Sequence, residues 1–137
     1  MSDNTVILIE DFAKALAEVE SGRDPRAWGD PNPEGFPLAM GMWQMHPAWV
    51  WTVLSDDPFD ACKPRVDASW TEFCHQLLRY WTERRISSSN GEMTVREAIN
   101  LAMEFHIGHQ VTPASRCWQE SYASRFRGAL AKVMRGE

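Results

Sequence analysis

Apolar residues recur at helical intervals along most of the chain. Ile9, Phe12, Ala13, Leu16 and Val19 share one face of a first predicted helix that ends near Glu20. Ser21-Gly22 supplies its stop, because glycine accepts the left-handed conformation that follows a helix C-terminus. Residues 22–38 hold Pro25, Pro31, Pro33, Pro37, Gly29 and Gly35 and predict a long loop. Pro47 opens a short helix through Leu54. Ser69 and Glu72 have capping-box spacing around the start of a helix carrying Trp70, Phe73, Cys74, Leu77, Leu78 and Trp81. Ser87 to Gly91 reads as a loop. Thr94 and Glu97 form a second candidate capping box, ahead of Val95, Ala98, Ile99, Ala102 and Phe105. Trp118, Tyr122, Phe126, Ala129, Leu130 and Val133 make the stripe of a last helix. No segment alternates as a strand does, and no internal repeat is legible. The pattern predicts a mainly α fold with a long Pro/Gly-rich loop, as a single domain over residues 1–137.

Composition narrows the classes. A chain of 137 residues with 44% hydrophobic and 24% charged residues fits one globular domain. A net charge of −5 argues against non-specific nucleic-acid binding, which needs a basic surface. No run approaches the roughly 18 apolar residues of a membrane span. Val6-Ile7-Leu8-Ile9 is broken by Glu10-Asp11 and is too short for a signal-peptide core, which predicts either synthesis in the cytoplasm and release without general secretion, or a trimmed chain. The three cysteines, Cys62, Cys74 and Cys117, do not suggest a disulfide framework. Cys74-His75, His106 and His109 raise the idea of zinc, but no tight Cys-x-x-Cys pair supports it, and no metal or cofactor is expected.

The informative stretch is Glu20-Ser21-Gly22, followed about twenty residues later by Gly41-Met42-Trp43-Gln44. Downstream, Ala102 precedes Phe105-His106-Ile107-Gly108, and Ser121-Tyr122-Ala123-Ser124-Arg125-Phe126 lies in the last helix. Together these segments resemble the lysozyme-like superfamily, in its soluble lytic transglycosylase and goose-type lysozyme branch. That branch has a helix ending in Glu-Ser, a variable loop, a Gly-Leu-Met-Gln motif, a helix with Ala-x-x-x-Tyr-Asn-x-Gly, and a final Tyr-Val-x-x-Val element. Here Met42-Trp43 stands for Leu-Met, and Phe105-His106 for Tyr-Asn.

The resemblance implies cleavage of peptidoglycan glycan strands between N-acetylmuramic acid and N-acetylglucosamine, at the bacterial cell wall after phage release or another export. Glu20 would be the general acid. A carboxyl at a helix C-terminus meets the negative end of the dipole, and burial adds to this, so both favour its neutral form. In the transglycosylase outcome, slightly favoured, Glu20 then acts as base and the sugar's own 6-hydroxyl attacks. In the lysozyme outcome water attacks with help from a second carboxylate, for which Asp30, Asp24 and Glu34 are candidates. Ser21, Met42, Trp43, Gln44, Phe105, His106 and Tyr122 would line the substrate groove, with Trp43 the best candidate to stack on a sugar and Tyr122 placed to hydrogen-bond the acid or a sugar. His106 would donate in place of Asn, whereas Phe105 lacks the Tyr hydroxyl. The remaining tryptophans, Trp49, Trp51, Trp70, Trp81 and Trp118, are more often core. The alternatives are an inactive wall-binding or virion structural module of the same fold, and an unrelated helical metal-dependent regulator.

Overall fold

The computed structural model describes residues 1–31, 37–56, 70–88, 90–108 and 116–137. These are mainly helical. The elements run β1 (Val6–Leu8), α1 (Ile9–Ser21), β2 (Trp28–Pro31), β3 (Pro37–Met40), α2 (Pro47–Asp56), α3 (Trp70–Glu83), β4 (Glu92–Thr94), α4 (Val95–Gly108) and α5 (Arg116–Met134). None of these helices is long and apolar enough to cross a membrane.

The core is built on α1 and α5. Phe12 and Leu16 are fully buried against the Tyr122, Phe126 and Leu130 stripe, and Phe12 meets Phe126 edge-on with centroids 5.7 Å apart. Each of these side chains contributes about 1.5–3 kcal/mol by leaving water. On the other side, α3 buries Cys74, Leu77, Leu78 and Trp81. Trp49 of α2, Trp81 of α3 and Phe105 of α4 form an aromatic triangle with centroids 5.1–6.1 Å apart.

Two short strand pairs, which the sequence pattern did not show, stand beside the helices. β1 pairs antiparallel with β4, Ile7 opposite Met93. Each strand has only three residues, with one buried side chain, too short for alternation to show. β2 and β3 form a hairpin within the predicted loop, Trp28 opposite Met40 and Gly29 opposite Ala39. Its Pro31 and Pro37 are tolerated because a two-stranded ribbon is all edge and needs no second ladder.

The β1–β4 pair also gives the chain an internal correspondence. β1 runs directly into α1, and β4 directly into α4. The third residue of each helix accepts a hydrogen bond from the last strand N–H: Leu8 to Asp11 Oδ2 at 3.0 Å, and Thr94 to Glu97 Oε1 at 3.1 Å. Reciprocal bonds cross-link the units, Ile9 N–H to the Gly91 carbonyl and Val95 N–H to the Thr5 carbonyl. Both helices pack on α5. Glu20 and His106 stand at the same offset from the first helical residues, Ile9 and Val95.

Candidate functional site

Helix α1 ends in a Schellman turn. Gly22 adopts φ 67°, its N–H reaches the Glu18 carbonyl, and the Arg23 N–H reaches the Ala17 carbonyl. This leaves Glu20 in the last turn and frees the Ser21 hydroxyl for tertiary contact. Ser21 Oγ donates to the Met42 carbonyl at 2.6 Å and accepts the Asp24 N–H at 3.0 Å. One serine thus ties the helix end to the 41–44 turn, although the two are 21 residues apart in the chain.

That turn is shaped by close approaches. Gly41 has φ 84°, and a Cβ there would lie 2.8 Å from the Trp70 ring. Trp70 Nε1 donates to the Met40 carbonyl at 3.1 Å, and the Gly41 N–H to the Ala27 carbonyl at 2.9 Å. Gln44 sits at φ 51°, unusual for a residue with a side chain, and its amide donates to the Gly41 carbonyl at 2.9 Å. Gln44 also lies against Gly29, where a Cβ would collide with it. It locks turn to hairpin.

The centre of the site is a carboxyl, a phenol and an imidazole brought together from three helices. Tyr122 of α5 donates from its hydroxyl to Glu20 Oε1 at 2.6 Å. His106 Nδ1 of α4 lies 4.0 Å from the same oxygen. The His106 and Tyr122 rings stack with centroids 3.8 Å apart and planes 14° from parallel. The Glu20 side chain keeps 17% of its exposure and that of His106 keeps 10%. Burial raises the Tyr122 pKa, and the Glu20 charge and hydrogen bond raise it further, so the phenol stays a neutral donor.

No known protein family, curated protein or solved structure matches this chain.

Glu20, His106 and Tyr122 come together, and Ser21 and Met42 meet beside them. Trp43 does not serve as a sugar platform. It is buried, its Nε1 donates to the Ala13 carbonyl at 2.9 Å, and its ring stacks on His75. Phe105 is likewise withdrawn from any groove, since the aromatic triangle takes it into the core. Asp24 lies in the turn after α1, its Oδ1 accepting the Arg26 N–H. The Asp30 and Trp118 side chains and Glu34, Cys62, His109 and Ser69 fall outside the described residues. Among the described residues, no three His, Cys, Asp or Glu side chains converge as a metal site.

The exposed aromatics are others. Trp28, on the hairpin strand next to the turn, is 68% exposed, and Trp51 on α2 is 73% exposed. Trp51 is therefore not core. The signal for Trp28 was its place in a polar, Pro/Gly-rich stretch with no apolar periodicity to bury it.

Proposed function

We propose that this protein cleaves the glycan strands of bacterial peptidoglycan between N-acetylmuramic acid and N-acetylglucosamine, with Glu20 moving the proton. The observation that carries this reading is the setting of the Glu20 carboxyl. It lies in the last turn of α1, largely shielded from water, with Oε1 held by the Tyr122 hydroxyl at 2.6 Å. A glycosidic oxygen leaves only as it gains a proton, and a shielded, fixed carboxyl supplies one.

The second half of the reaction follows from the same group. Having given its proton to the leaving oxygen, the Glu20 carboxylate takes one from the muramic acid 6-hydroxyl. That oxygen closes on the anomeric carbon, giving a 1,6-anhydro end and no net consumption of water. Glu20 serves both steps, so this route needs no second carboxylate, whereas a hydrolysis would draw on Asp30, Asp24 or Glu34. The 41–44 turn, tied to Ser21, forms the neighbouring wall.

Digestion of purified sacculi by wild type and Glu20→Gln, with products read by mass spectrometry, tests the proposal. Anhydro products, lighter by one water than hydrolysed muropeptides, should appear with wild type and fall roughly a hundredfold or more in the variant. Hydrolysed ends would make it a lysozyme. Intact glycan with both proteins, with sugar still bound, would replace catalysis by wall binding.

A further inference from the structure

A cleft of about 380 Å³ lies on the α3 side of α1, at the lower end of the range for small-ligand sites. Ala13, Ala17 and Trp43, all buried, and Met42 give it an apolar floor. Two polar groups on its wall are not consumed by the fold. Lys14 is exposed on α1 and makes no ion pair or hydrogen bond among the described residues. His75 Nε2 donates to the Glu10 carboxylate, 3.0 and 3.2 Å from its oxygens, while the ring stacks on Trp43. This fixes the imidazole and leaves Nδ1 without a partner among the described residues. An apolar floor with an unpaired ammonium and an oriented imidazole acceptor suits a small aliphatic ligand bearing a carboxylate and an N–H donor.

The cleft adjoins the Glu20 site. Met42 lines it, and the Met42 carbonyl is bonded to Ser21, the neighbour of Glu20 in α1. The substrate proposed above is branched: its muramic acid carries a short peptide of small side chains, with free carboxylates and an amino group. We propose that the α1–α3 cleft binds this peptide branch while the glycan strand lies at Glu20. Methyl groups pack on Ala13 and Ala17, a carboxylate meets Lys14, and a peptide N–H donates to His75 Nδ1. The inference rests on the glycan-cleaving reading for the origin of the peptide, but not for its binding.

The probe is the soluble tripeptide alanyl-γ-glutamyl-lysine, titrated calorimetrically into wild type and Lys14→Glu. Lys14 is exposed, so the substitution leaves the core alone. Wild type should bind it and Lys14→Glu should bind roughly five- to tenfold more weakly. In parallel, wild type should show a lower KM for intact sacculi than for strands stripped of peptide by an amidase, and Lys14→Glu should lose that preference. No binding to wild type, or equal binding by both proteins, overturns the proposal. Lys14-dependent binding with neither glycan cleaved keeps the peptide site and discards the glycan-cleaving reading.

Discussion

At the residue scale, the Glu20–Tyr122 bond joins positions 102 residues apart, a pairing that the resemblance allowed and that helical periodicity did not show. Tyr122 sits on the apolar stripe of α5, where packing alone explains it. Its hydroxyl became a site group only because α5 lies against the end of α1. Tyr122→Phe keeps the ring and removes the donor. A hydrogen bond to a charged group is worth about 1.5–3 kcal/mol, so kcat on sacculi should fall roughly ten- to a hundredfold. An unchanged rate would remove Tyr122 from the mechanism. Cys74 shows the opposite case, a reactive residue type disarmed by its surroundings. Burial pushes its thiol up to about 12 and leaves almost no thiolate at neutral pH. Iodoacetamide should therefore leave the Cys74 peptide unmodified in the native protein and modify it in denaturant, as peptide mapping would show.

At the scale of elements, local rules were legible where the chain bonds to its near neighbours. The Thr94 and Glu97 spacing predicted a capping box, and both bonds are made, Thr94 N–H to Glu97 Oε1 and Glu97 N–H to Thr94 Oγ1, each at 3.1 Å. Thr94→Ala should cost about 1 kcal/mol and lower Tm by roughly 2–6 °C; a rise in Tm would contradict the cap. The 41–44 turn was legible only as a motif. Its geometry depends on Trp70, 29 residues after Gly41 and on another helix. Gly41→Ala meets both the positive φ and the Trp70 ring. It should cost roughly 2–4 kcal/mol in chemical denaturation, and activity should fall with it, because the Met42 carbonyl that Ser21 holds would shift. Full stability in Gly41→Ala would show that Trp70 can move aside.

At the scale of the whole molecule, stability should form a plateau bounded by two sets of groups. Asp3 is held below its usual range by Arg127, Glu18 by Lys132, and Glu97 by the Thr94 N–H. Lowered native pKa values mean that their contribution is present above the unfolded values, 3.8 for Asp and 4.5 for Glu, and is lost as pH falls below them. Cys74 and Tyr122 are raised from 9.0 and 10.0, so their contribution is full below those values and is lost as pH rises past them. Thermal melts from pH 3 to 11 should decline at both ends. Tyr122→Phe should soften only the alkaline decline, and an equal effect at the acid end would refute this assignment.

The same scale divides what was readable from what was not. Helical periodicity, the Thr94–Glu97 cap and the glycine stop after α1 followed from the sequence by itself, because they depend on residues within one or two turns. The strands did not, because three-residue ladders such as Ile7 opposite Met93 take their hydrogen bonds from distant chain. Nor did the correspondence between β1–α1 and β4–α4, which lies in backbone layout while the side chains diverge. That layout, closed over α5, brings Glu20 within 4.0 Å of His106, sends Trp43 and Phe105 inward, and leaves Trp28 and Trp51 in water. Which side of a helix faces a neighbour is a property of the pattern. Which neighbour it faces is settled only when the elements pack.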